Sequence, residues 1–297
     1  METPVRSNQH LPALPAMLAK SLLTLNRVDN SCAEKDELQQ RFVTDPVSRR
    51  ALAAYQSTFG GFVSEMPLAF FYCLAQRTHL AQMLDPRFPW PAPGLVHVNN
   101  TLQQHANIDP AQGFELHALV KLPARGPDVS PRRLRPQFIV TFYQGDQQVV
   151  TCESTYQVMK GQQHEPGRKK APLKPFQPQP GWVHQCHWQL GSGMGRRYAR
   201  VSGDFNPIHL HSICSRWFGF KKPIIHGMYM MARAQAKIEQ ASGKPATRIE
   251  VNFKRPVVLP ARVQFWVSEQ EGRHRYEVRS ADHSQVQLDG EIQLEGL

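Results

Sequence analysis

No two cysteines in this sequence form a C-x-x-C pair; Cys32, Cys73, Cys152, Cys186 and Cys214 are scattered over 297 residues. An odd and dispersed set argues against a disulfide framework and against a structural zinc site, and it suits a reducing, cytoplasmic setting. Long apolar runs are also missing. The nearest approach, Leu11 to Leu25, is interrupted by Pro12, Pro15 and Lys20. It is too short and too broken to span a bilayer, and no small-residue cleavage site follows it. The histidines show neither finger nor metalloprotease spacing, so no metal is implied. No recognisable nucleic-acid motif is present either.

Acidic side chains are in the minority, 24 against 35 Lys and Arg, which leaves a formal net charge of +11. The excess lies mostly in pairs: Arg49-Arg50, Arg132-Arg133, Lys169-Lys170, Arg196-Arg197, Lys221-Lys222 and Lys254-Arg255. Two readings stay open, solvated surface charge and the binding of an anionic, phosphate-bearing ligand. What the sequence has in quantity is apolar content: 41% hydrophobic residues is enough for real cores and argues against general disorder. The length suits two ordinary domains.

Residues 1–60 carry little pattern and are set aside as an N-terminal leader. From Pro67 the signal sharpens. Pro67-Leu-Ala-Phe-Phe-Tyr-Cys-Leu-Ala-Gln-Arg reads as a helix with proline in its first turn, apolar nearly all round and therefore buried. Four strands with a period of two follow: the run from Gly94 to Asn99, then Phe114 to Leu122, Phe138 to Phe142, and Val150 to Val158. His97, Asn99 and Asn100 read as polar residues that satisfy a strand end, since no carboxylate stands beside them at a useful spacing. These elements make a first domain of 61–160. Residues 161–181 hold prolines at 166, 172, 175, 178 and 180 and almost nothing apolar, the composition of an extended linker.

Residues 182–297 repeat the plan. A helix from Gly227 carries an apolar stripe at Met230, Ala234, Ile238 and Ala241, with Gly243 as its stop. Strands centred on Val251, Phe265, Tyr276 and Leu288 come after it. A helix that is apolar on every side needs a sheet wrapped round it. The fold expected is therefore α+β, with two long helices each wrapped by a curved antiparallel sheet. The two sheets are expected to join edge to edge, because pairing disposes of exposed edge strands.

The densest signal runs from Val201 to Gln240. Gly203 and Pro207 punctuate a turn that bears one carboxylate, Asp204, and one imidazole, His209. His226-Gly227 stands where a helix begins, so unpartnered backbone N–H groups gather there. Singly, an Asp-x-Asn-Pro turn is ordinarily just a turn and a histidine is ordinarily structural. Together, a base, a carboxylate and an anion-friendly helix start are what proton transfer next to a carbonyl requires.

Ser202-Gly-Asp-Phe-Asn-Pro-Ile-His209, then Gly219-Phe220, then Ile224-Ile-His-Gly227 resembles the signature of MaoC-like (R)-specific enoyl-CoA hydratases and 3-hydroxyacyl thioester dehydratases. The likeness is strongest over residues 182–295; Phe88-Pro-Trp-Pro and the run from Gly94 to Asn100 resemble the degenerate first half of double hot-dog members. The resemblance implies a double hot-dog fold and reversible hydration of a 2-enoyl thioester to the (3R)-3-hydroxyacyl form, in fatty-acid or related metabolism. It implies Asp204 and His209 as the catalytic pair, the Gly227 N–H as oxyanion donor, and Ser202, Asn206 and His226 in support. Arg196, Arg197, Lys221, Lys222, Lys254 and Arg255 are the candidates for gripping the phosphates of coenzyme A or an acyl carrier protein. No cofactor or metal is implied, nor a nucleic-acid partner or membrane span, and a homodimer is open to the chain. His211, Ser215 and Gln235 depart from the common family pattern. Two other functions stay open at this point, a hot-dog thioesterase and a non-catalytic acyl-thioester binding subunit.

Overall fold

The computed structural model describes residues 9–27, 36–126, 128–130, 134–158, 179–217, 220–270 and 272–296. The chain divides into two compact units, Met1–Leu52 with Phe71–Gln162 and Ala53–Phe70 with Gln163–Leu297. Most of the expected proline-rich linker, residues 161–178, lies outside the described residues.

The first unit begins with β1 (Gln9–His10), α1 (Leu14–Ser21) and β2 (Asp36–Val43). The chain continues through α2 (Arg49–Phe59) and α3 (Leu68–Leu84), both cut by the division between units. Then come β3 (Leu95–Gln104), β4 (Glu115–Leu122), β5 (Gln137–Gln144) and β6 (Gln147–Val158). The strands run in the order β1-β2-β4-β5-β6-β3. All neighbours are antiparallel except β1 and β2. The expected alternation is present: Phe138, Val140 and Phe142 of β5 are fully buried while the residues between them are not. Phe71 on α3 meets Phe114 and Phe142 edge-on at 5.5 and 5.2 Å, which seats the helix on this face. Strand β2 lies inside the segment that the sequence left as a leader; it pairs along its whole length with β4.

One buried polar chain crosses this unit. His79 Nδ1 lies 3.2 Å from the Tyr156 hydroxyl, which lies 3.1 Å from the Tyr72 hydroxyl, which lies 3.2 Å from His97 Nδ1. Burial, with the neighbouring His97, holds His79 well below its ordinary pKa. Cys152 is buried too, and its thiol is pushed up to about 12, so it behaves as a small apolar side chain and not as a nucleophile.

The second unit comprises β7 (Trp182–Leu190), α4 (Met194–Ser202), α5 (Ser212–Trp217) and α6 (Gly227–Ser242), besides residues 53–70. Strands β8 (Ala246–Phe253), β9 (Ala261–Gln270), β10 (Arg273–Ser280) and β11 (Val286–Leu294) follow. Their order is β8-β11-β10-β9-β7, antiparallel throughout. Helix α6 packs against β8, β10 and β11. Met228, Tyr229, Met230, Met231 and Ala232 are successive and all buried, so every face of the first turns is covered. Burying a Met or Ile side chain contributes roughly 1.5–3 kcal/mol, whereas helix propensities among such residues differ by less than about 1 kcal/mol. Packing therefore decides that this segment is a helix. Gly243 ends it in the left-handed region at φ 69°, donating its N–H to Glu239 O.

Near that end a carboxylate is buried. Glu239 is fully enclosed and accepts from Val63 N (2.8 Å), Ser64 N (3.1 Å), Ser64 Oγ (2.8 Å), Gln235 Nε2 (2.7 Å) and Ala246 N (2.9 Å). One side chain thus ties residues 63–64 and the start of β8 to the central helix. Gln235 in turn accepts from Ala69 N at 3.0 Å, which makes it part of this frame. Glu239→Ala leaves several buried donors without an acceptor, each worth about 1–3 kcal/mol. It is expected to lower unfolding free energy by at least about 3 kcal/mol in a denaturant titration, with Glu239→Gln losing less.

Candidate active site

The turn at the heart of the second unit is built by local side-chain capping. Helix α4 stops at Gly203, whose φ of 77° suits the left-handed region, and the Gly203 N–H donates to Ala199 O. Ser202 Oγ donates to Tyr198 O at 2.9 Å and accepts from Asp204 N at 3.1 Å. Asp204 Oδ1 accepts from Asn206 N at 3.2 Å, and Asn206 Oδ1 accepts from Ile208 N at 3.3 Å. Three short polar residues two apart each cap the next stretch of backbone, and Pro207–His209 then forms a single 3-10 turn. Ser215 Oγ closes the loop from outside by donating to Ile208 O and His211 O. His211 Nδ1 accepts from Ile213 N, so this side chain caps α5. Gly195 is needed for closeness: a Cβ there would lie 2.2 Å from His209 O.

His209 Nδ1 lies 2.9 Å from the carbonyl oxygen of Ile224. A carbonyl only accepts, so Nδ1 carries the proton and Nε2 holds a lone pair. His226 Nε2 lies 3.0 Å from the carbonyl oxygen of Asp204 and 3.9 Å from its Oδ2. By the same rule His226 is protonated on Nε2. The two imidazoles lie with centroids 3.7 Å apart at 31°, and Tyr198 packs edge-on against His226 at 4.9 Å. Burial pushes both imidazoles below their ordinary pKa, His226 the further because His209 stands beside it; the Asp204 carboxylate partly opposes the effect at His209. Both rings are thus neutral near pH 7.

Asp204, His209 and His226 offer ligand-type atoms within 4.8 Å of one another, and among the described residues no other set of three does so. Two of the four ring nitrogens are already committed as donors to carbonyls. Gly227 opens α6 directly after His226, and its N–H belongs to the first turn, where no intrahelical acceptor exists. A Cβ at Gly227 would lie 2.4 Å from the Phe253 ring, so glycine lets the helix start sit against β8.

The structure therefore brings Asp204, His209, His226 and Gly227 to one place, with Ser202 and Asn206 shaping the turn beneath them. The six basic candidates are less uniform. Arg196 Nη1 donates to Leu210 O at 3.0 Å, Lys254 pairs with Asp289 at 2.5 Å, and Arg255 Nη1 reaches Val286 O at 3.5 Å. Arg197, Lys221 and Lys222 are exposed and form no ion pair among the described residues. Sequence reasoning did not single out the Ile224 carbonyl, Tyr198 or Phe253. A backbone carbonyl has no sequence signal of its own, and the two aromatics looked like ordinary core residues. Nor did it foresee that Phe59 would pack against Tyr198 and Tyr229 at 6.1 and 5.2 Å, since residues 53–70 are distant in the chain.

Comparison with known proteins shows the family and the fold. Residues 181–288 match the sequence model of the MaoC like domain. The chain is 30% identical over 246 residues to the 3-hydroxyacyl-thioester dehydratase X of Mycobacterium tuberculosis, covering 80% of this chain and 83% of that protein. The crystal structure of HtdX from M. tuberculosis superposes with a TM-score of 0.64 at 23% identity, over 87% of this chain and 100% of that one. A second M. tuberculosis protein, described as having a double hot-dog fold, superposes at 0.55 with 13% identity, over 90% and 99% of the two chains. The fold is α+β and double hot-dog, and the chain belongs to the MaoC-like family of 3-hydroxyacyl-thioester dehydratases.

Proposed function

We propose that this protein is a hydro-lyase that interconverts a 2-enoyl thioester and the (3R)-3-hydroxyacyl thioester, with Asp204 and His209 as its acid–base pair. The observation that carries the reading is the neutral His209, its Nδ1–H held by Ile224 O and its Nε2 lone pair left for chemistry, beside the Asp204 carboxylate. In the hydration direction a water held between the two delivers its oxygen to C3. The water proton goes to His209 Nε2 and is returned to C2 on the same side of the substrate. Asp204 orients the water and stabilises the imidazolium formed in passing, consistent with its upward pull on the His209 pKa. Charge that develops on the thioester oxygen is met by the Gly227 N–H and the start of the α6 dipole. Acid–base chemistry of this kind needs no redox group.

A spectrophotometric hydration assay over enoyl-CoA substrates of several lengths tests the reading. Asp204→Asn and His209→Ala are each expected to reduce the rate by about a hundred- to ten-thousandfold, the usual worth of a general acid–base step. The double variant should be little slower than either single one, because the pair acts as a unit. An Asp204→Asn protein that melts early but keeps its rate would refute the assignment, and release of free thiol in place of hydration would favour thioester hydrolysis.

The pKa directions give a second test. With His209 held below 6.5, the acid limb of kcat/KM should have its midpoint below pH 6.5. Asp204→Asn, which removes the upward pull, should lower the His209 titration midpoint further in an NMR titration. Stability should fall as pH drops from about 6.5, since unfolded His209 and His226 take up protons that the folded forms refuse.

The carrier is proposed to be coenzyme A or an acyl carrier protein, whose phosphates would be met by Arg197, Lys221 and Lys222, the candidates not already paired. Arginine grips phosphate with two bonds and lysine as a point charge. Lys221→Glu with Lys222→Glu is expected to raise KM severalfold while kcat stays nearly constant, measured in low salt, where such contacts count most.

A further inference from the structure

We infer that His226 is a positioning residue that locks the acid–base turn to the oxyanion donor through its Nε2–H bond to the Asp204 carbonyl. The inference rests on the hydration reading for its kinetic arm and extends it to a third side chain.

The argument is one of connectivity. Asp204 and Gly227 lie on separate segments of the second unit, the turn after α4 and the start of α6. The ring of His226 spans them: it precedes Gly227 in the chain, donates to Asp204 O at 3.0 Å, and stacks on His209 at 3.7 Å. It is 1% exposed, so no solvent competes for that bond. Its other nitrogen, Nδ1, is buried with no hydrogen-bond partner among the described residues. A second proton on Nδ1 would thus find no acceptor and would place a charge against the His209 ring. The ring is held as a neutral donor of fixed tautomer, which is what a spacer between two reacting groups requires. Tyr198 closes its remaining edge at 4.9 Å. The titratable groups that face His226 are Asp204 and His209, with Tyr198 at the edge.

His226 does not touch the reacting atoms in this scheme. It fixes the distance from Asp204 and His209 to the Gly227 N–H. A misplacement on the order of 1 Å in such a set can reduce a rate by roughly a hundredfold, so its loss should appear in kcat and leave KM nearly unchanged.

Two variants separate the bond from the ring. His226→Phe keeps an aromatic ring against His209 but has no donor for Asp204 O. His226→Gln keeps an N–H at nearly the place of Nε2 but loses the ring. The expected result is a kcat lower by roughly ten- to a hundredfold for His226→Phe with little change in KM, and recovery of most of that loss in His226→Gln. A His226→Phe enzyme with wild-type kcat, or a His226→Gln enzyme as slow as it, would overturn the inference. A measurement on the wild-type chain needs neither variant to fold. In ¹⁵N NMR, His226 should stay protonated on Nε2 alone from about pH 5 to 8, while His209 titrates below its ordinary midpoint. A His226 that titrates in that range, or that carries its proton on Nδ1, would overturn the inference whether or not the chain hydrates enoyl thioesters. Failure of hydration with the expected tautomer would instead count against the reading of the reaction and leave the tether standing.

Discussion

The second unit depends on enclosing α6. A helix whose first five residues after Gly227 are all apolar or aromatic has no face it can leave in water, so the sheet β8-β11-β10-β9-β7 must curve about it. That enclosure brings the start of the helix against the inside of the sheet, where the Phe253 ring admits only a glycine. The same constraint that makes the core thus places the start of α6, with N–H groups that have no intrahelical acceptor, directly after the buried His226 ring.

Polar groups are placed in this core only where they are answered. Glu239 carries five donors on one carboxylate and joins three segments, which lets a buried acid act as a staple. His209 and His226 follow a different rule. Each spends one nitrogen on a backbone carbonyl, and burial keeps both neutral where an exposed imidazole would be partly protonated. The first unit carries a polar chain of its own, His79–Tyr156–Tyr72–His97, built of imidazoles and hydroxyls.

Much was legible in the sequence because it depended on local rules. Period-two alternation marked β3 to β6 and β8 to β11, an all-round apolar run marked α3, an apolar stripe marked α6, and Gly243 marked the end of α6. The turn from Ser202 to His209 was legible for the same reason: its capping bonds all join residues close in the chain. Among the elements that escaped notice were β2, whose exposed face and short apolar set resemble a loop, β7, which precedes the helix, and α4, whose basic residues hide its buried side at Tyr198 and Ala199.

Tertiary structure decided the rest. The sequence alone determined that Asp204 and His209 share a turn and that Gly227 begins a helix, since both follow from glycine, proline and the periodicity of apolar residues. It could not determine which nitrogen of either histidine carries the proton, because that is set by the Ile224 and Asp204 carbonyls, which lie 15 and 22 residues away along the chain. Nor could it determine which of the six basic candidates remain unpaired, because partners such as Asp289 arrive only when β11 lies beside β8. Bonds between near neighbours in the chain leave a pattern in the residues themselves, whereas those between distant segments arise from packing.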